Sequence, residues 1–108
     1  MVGDIVQQCK EFLWKLATTK SDRKYYRTVA NASDEELLSV VEISLNILRG
    51  CYKPRRNYMK KLVDDADFVR KLARARTPRA VKRLLREGDQ STLQSLILPV
   101  LKECGRYQ

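Results

Sequence analysis

Histidine is absent from this 108-residue chain. Its absence removes the Ser-His-Asp and Cys-His nucleophile centres, His-ligated zinc and any imidazole acid–base step. Glycine is scarce: four scattered residues are too few for a Gly-rich phosphate loop. The three cysteines, Cys9, Cys51 and Cys104, lie too far apart for a CxxC metal knuckle. An odd, sparse cysteine count fits free thiols in a reducing, intracellular compartment, and each cysteine reads as a small core filler rather than a reactive group. No apolar run approaches the ~18 residues of a membrane span, and no signal peptide opens the chain. The sole acidic grouping that a divalent ion could use is Asp64, Asp65 and Asp67; its neighbours are mainly basic, so intrachain salt bridging is the simpler reading. The sequence therefore implies no metal, no cofactor, no small-molecule substrate and no enzyme.

What is present is charge of one sign. The chain carries 22 Lys+Arg against 13 Asp+Glu, a net of +9, with 44% hydrophobic residues. That balance is globular rather than disordered, and the length suits one domain. The excess is concentrated: residues 49–86 hold 14 basic residues against three acids, a net of +11, and the rest of the chain nets −2. The chain thus divides into a neutral scaffold, 1–48 and 89–108, and a basic module, 49–88, within a single helical domain.

Apolar residues recur at helical spacing throughout, with no strand alternation. The expected fold is all-α, a compact bundle of five to six short helices. The first spans about 3–18 on Ile5, Cys9, Phe12, Leu13, Leu16 and Ala17. A second, with Asp22 as its cap, carries Tyr25, Tyr26 and Val29 to about residue 31. Ser33 and Glu36 form a capping box for a third helix, whose apolar residues point almost all round, marking it as the central one. Gly50 supplies its left-handed C-terminal cap, and residues 51–56 are the one linker. A helix over about 54–76 is stripped by Met59, Leu62, Val63, Ala66, Val69, Leu72 and Ala73, with a local interruption at Asp64-Asp65. Thr77 and Pro78 start a short helix that Gly88 stops. Ser91 and Gln94 read as a second capping box, opening a last helix that Pro99 kinks or ends early.

The outer face of 54–86 is densely cationic. Arg55, Arg56, Lys60 and Lys61 lie at the front of one helix, and Arg70, Lys71, Arg74 and Arg76 fall outside its apolar stripe. Arg79, Lys82, Arg83 and Arg86 recur every three or four residues on the next. Like charges packed this closely oppose folding unless a polyanion neutralises them. Nucleic acid is the natural partner, since each phosphate contact releases a condensed counterion. Eight of these 12 side chains are Arg, suited to bidentate phosphate contacts. The bland alternative is a solvated, solubilising face. Tyr52 and Tyr58 flank the run, either packed half-buried or stacked on bases. No helix-turn-helix signature, basic zipper or aromatic RNA motif is visible, so sequence-independent backbone contact is expected, with DNA favoured over RNA and nucleus or virion as the location. Trp14 falls off the apolar stripe of its helix and marks either a partner surface or a contact with the second helix.

Phe12-Leu13-x-x-Leu16-Ala17, Glu36-Leu37-Leu38 and Glu42-x-x-Leu45-Asn46-Ile47-Leu48-Arg49-Gly50 form a skeleton. It continues with Lys60-Lys61-Leu62, Arg70-Lys71-Leu72-Ala73, Lys82-Arg83-Leu84-Leu85 and Leu96-Ile97-Leu98-Pro99-Val100-Leu101. Over roughly residues 12–103 this resembles the small basic proteins of Maverick/Polinton-type virus-like elements and adintoviruses, which have been likened to the adenovirus minor core protein. The resemblance implies a genome-condensing core protein of viral or transposon origin and brings no catalytic residues. The chain departs from that pattern in its single Gly88, its preference for Arg over Lys, its Asp64-Asp65-Ala66-Asp67 segment and the lack of a long Gly/Leu/Pro-rich tail.

A different class of function fits the same helices. Short helical domains also serve as protein–protein adaptors, and here the acidic turn Asp34-Glu35-Glu36 and the basic face would pair head to tail between copies, giving a homo-oligomer.

Overall fold

A computed structural model describes residues 4–51 and 53–103. Among these the fold is all-α, with eight helices and no strand. They are α1 (Asp4–Gln8), α2 (Lys10–Thr18), α3 (Asp22–Ala30), α4 (Asp34–Leu48), α5 (Arg56–Asp64), α6 (Ala66–Arg74), α7 (Pro78–Glu87) and α8 (Gln90–Glu103). The excess over the expected five or six arises because two long apolar stripes are each broken once. Cys9 (φ −104°, ψ 20°) separates α1 from α2, so the helix expected over 3–18 is two. Asp65 (φ −118°, ψ 38°) separates α5 from α6 where the acidic pair foreshadowed an interruption. In both places the hydrophobic period runs on while the backbone turns, which a stripe alone does not reveal.

The helix ends show which side chains act as caps. Ser33 Oγ accepts from the Glu36 amide at 3.1 Å and Glu36 Oε1 accepts from the Ser33 amide at 2.8 Å, completing the capping box. Gly50 adopts φ +74°; its amide bonds the Ile47 carbonyl and the Cys51 amide reaches Asn46, the two bonds of a Schellman ending. Thr77 Oγ1 accepts from the Ala80 amide with Pro78 at the first helical position, as the spacing predicts. Two caps shift by a residue or more. Ser21, not Asp22, caps α3, accepting from the Lys24 amide. Asp89, not Ser91, caps α8: its Oδ1 accepts from both the amide and the hydroxyl of Ser91 at 2.9 Å. The carboxylate outcompetes the hydroxyl as acceptor, so the helix begins at Gln90. It also runs through Pro99 to Glu103 rather than ending early, since burial of its flanking residues outweighs one missing amide donor.

Helix α4 is central, packing on α1, α6, α7 and α8. It buries Leu37, Val40, Val41 and Ile43, and its buried Ser39 and Ser44 hydroxyls donate to the Glu36 and Val40 carbonyls one turn back. Leu93, Leu96, Ile97, Val100 and Leu101 of α8 close the other side of the same core against α2 and α5. Each such fully buried side chain stabilises by roughly 1.5–3 kcal/mol. Trp14 packs half-buried against this core. Cys9 is a core residue whose thiol donates to the Glu35 carbonyl at 3.8 Å, and burial pushes its pKa up. Cys51 is exposed in the connection after α4 and fills no core, contrary to expectation; Cys104 lies outside the described residues. Among the described residues no helix is long and apolar enough to cross a membrane.

Two reciprocal contacts tie α3 to α7. The buried Tyr25 hydroxyl donates to the Leu85 carbonyl at 2.8 Å, and Lys82 Nζ donates to the Ala30 carbonyl at 2.9 Å. Each satisfies a carbonyl in the last turn of the partner helix, where no intrahelical amide remains. Gly88, which follows the last residue of α7, has no room for a side chain: a Cβ there would lie 2.3 Å from the Phe68 ring of α6. These contacts set the position of α7 against α3, α4 and α6.

Candidate nucleic-acid interface

The chain brings together about half of the 12 cationic candidates. Helix α7 buries Val81 and Leu85 and leaves Arg79, Arg83 and Arg86 exposed. At about 100° per residue these three arginines fall within roughly 60° of one another, opposite the buried pair. They form the crest of a ridge. On one side a cleft of about 490 Å³ separates α7 from the start of α4, lined by Arg79, Lys82, Arg83, Arg86, Pro78 and Asp34. On the other, a cleft of about 530 Å³ between α6 and α7 holds Lys71, Arg74, Arg83 and Glu87 over an apolar floor of Ala75, Ala80 and Leu84. Arg83 borders both. Arg76 is exposed in the three-residue turn joining the two helices.

Three of the candidates are committed within the chain. Lys82 holds the α3 C-terminus, Lys61 pairs with Asp89 at 3.2 Å, and Arg70 pairs with Asp67 at 3.1 Å. Arg70 moreover borders an apolar groove with Val63 and Met59, whereas Lys71 and Arg74 line the α6–α7 cleft. Arg55, Arg56 and Lys60 belong to α5 or its start, and α5 packs on α8 and α6. Tyr58 is also occupied: Lys102 Nζ bonds its hydroxyl at 3.1 Å and sits 5.4 Å from the ring centre. Tyr52 lies outside the described residues.

The ridge thus carries six cations without an intrachain ion pair among the described residues: Lys71, Arg74, Arg76, Arg79, Arg83 and Arg86. Asp34 shares one cleft with the crest yet is not within ion-pairing distance of any of them. The placement of Asp34 was not visible in the sequence, because 45 or more residues separate it from the arginines it faces. The departure of Lys82 from the crest was readable: it follows Val81 by one helical step, on the flank rather than opposite the core. Of the acidic turn of α4, Asp34 faces the ridge across the cleft they share, whereas Glu36 lines a different one with Glu11, Lys15 and Arg27.

The acidic segment at 64–67 is dispersed. Asp65 Oδ2 accepts from the buried Thr92 hydroxyl at 2.8 Å, and Asp67 pairs with Arg70. Among the described residues no group of three or more Cys, Asp or Glu side chains is placed to hold a metal ion. Comparison of the chain with protein-family models, with curated proteins and with solved structures finds no match.

Proposed function

We propose that this protein is a sequence-independent DNA-binding and condensing protein, a nucleoprotein of viral or transposon-derived character, acting through the α6–α7 ridge. The observation that carries the reading is the set of six cations, four of them on or beside α7, that make no ion pair among the described residues. Holding like charges on one small face opposes folding, and a polyanion removes that opposition. Four of the six positions lie on α7 or in the turn before it, and five of the six are arginines, whose planar fork suits phosphate oxygens. The resemblance to the small basic proteins of Maverick/Polinton-type elements points the same way. The exposed α5 cations Arg55, Arg56 and Lys60 would offer a second contact for DNA, which condensation requires.

The test is purification without nuclease, with the ratio of absorbance at 260 and 280 nm read before and after a high-salt wash. Co-purifying nucleic acid that leaves with salt is the expected result. A protein that carries none and shifts neither duplex nor single-stranded DNA at low salt overturns the proposal. Salt-sensitive self-association in that same nucleic-acid-free protein would instead favour the adaptor reading.

A further inference from the structure

We infer that α7 is the element that enters DNA, seated in the major groove of a B-form duplex, and that the protein on this account distinguishes duplex DNA from duplex RNA. The inference rests on the nucleic-acid reading above and specifies its ligand. Three observations lead to it. First, α7 stands as a ridge with a cleft along each side, and its crest is purely cationic: Arg79, Arg83 and Arg86. A flat basic face would suit a backbone laid across it, whereas a flanked ridge suits insertion between two backbones. Second, α6 and α7 are joined by only three residues, 75–77, and both pack on α4. Three mutually packed helices with a short turn before the exposed one are the scaffold by which helix-turn-helix domains present a helix to the major groove. The turn here lacks the glycine often found at that point, so the sequence did not announce it. Third, the dimensions agree. An α-helix with its side chains is about 10–12 Å across, and a B-form major groove about 12 Å wide admits one.

The α6-side cleft, where Lys71, Arg74 and Arg83 outnumber one carboxylate, Glu87, is then the place for one phosphodiester strand. The α4-side cleft contains Asp34. That carboxylate repels phosphate, so the second strand is held by the crest arginines themselves and not by the wall opposite. Duplex RNA is excluded by shape. Its A-form major groove is deep and too narrow for side chains to read, so a protruding helix finds no seat in it. The preference is for the form of the duplex rather than for a particular base sequence.

The experiment measures fluorescence anisotropy of the full chain on a DNA duplex and an RNA duplex of the same sequence, each about two helical turns long. The DNA duplex is expected to bind on the order of tenfold more tightly at equal salt. The triple substitution Arg79→Gln, Arg83→Gln, Arg86→Gln is expected to bring that ratio to about one. The matched substitution Arg55→Gln, Arg56→Gln, Lys60→Gln on α5 removes the same charge away from the crest and is expected to keep the ratio. A wild-type ratio of one or less, or a preference that survives the crest substitution, overturns the inference and leaves DNA binding standing. Binding to neither duplex overturns the broader proposal instead.

Discussion

The salt dependence of duplex binding follows from the number of unpaired cations on the ridge. Each phosphate neutralised releases about 0.9 of a counterion from B-form DNA, so six contacts give a slope of about −5 in log affinity against log salt. Affinity then falls on the order of a thousandfold between about 50 and 200 mM salt. Substituting the three crest arginines by glutamine leaves Lys71, Arg74 and Arg76, and the slope should relax to about −3. The side chains are exposed and far from the core, so the variant keeps its fold, which circular dichroism checks. Anisotropy titrations across a salt series measure both slopes. If the α5 cations Arg55, Arg56 and Lys60 gripped the same duplex, nine contacts would steepen the wild-type slope to about −8. A slope near that value would refute binding of a single duplex through the ridge alone. A slope that does not move when the crest is removed would refute the ridge as the contact.

Other consequences concern stability. Gly88→Ala forces a Cβ against the Phe68 ring and should cost about 1–3 kcal/mol in urea unfolding, with partial recovery when Phe68→Leu is added; an unchanged midpoint would contradict the packing. Tyr25→Phe removes the bond to the Leu85 carbonyl and should cost about 1–2 kcal/mol near neutral pH. Burial raises the Tyr25 pKa, so the phenol stays neutral in the native chain while the unfolded chain ionises it. Native stability therefore falls as pH rises through about 10, the ordinary tyrosine value, and the gap between wild type and Tyr25→Phe should narrow there. Asp89→Ala should cost about 0.5–2 kcal/mol by uncapping α8, and Asp89→Asn less. The Asp89 carboxyl is held below its usual range by the Ser91 bonds and then by Lys61, so the cost should shrink as pH falls below the aspartate range.

The helical class, the core stripes and most helix ends were legible because they depend on neighbours a few residues away. Leu93, Leu96, Ile97, Val100 and Leu101 are buried as their spacing requires, and Gly50 has the positive φ that a left-handed cap needs. The misplaced caps at Asp22 and Ser91 came from competition between adjacent acceptors, which spacing does not rank. The breaks at Cys9 and Asp65 escaped the pattern because the apolar stripe continues across them. Gly88 was correctly read as a stop, but what leaves no room for a side chain there, the ring of Phe68, lies on another helix.

The sequence by itself determined that the chain is helical, that it has no histidine, and that its net positive excess falls within 49–86. These are properties of composition and local period. Only the tertiary structure decided which cations act together. It drew Lys61, Arg70 and Lys82 into intrachain contacts and raised Arg79, Arg83 and Arg86 on a ridge between two clefts. The reason is that a charge run in sequence has no direction until packing against α3, α4 and α6 orients the helix that bears it.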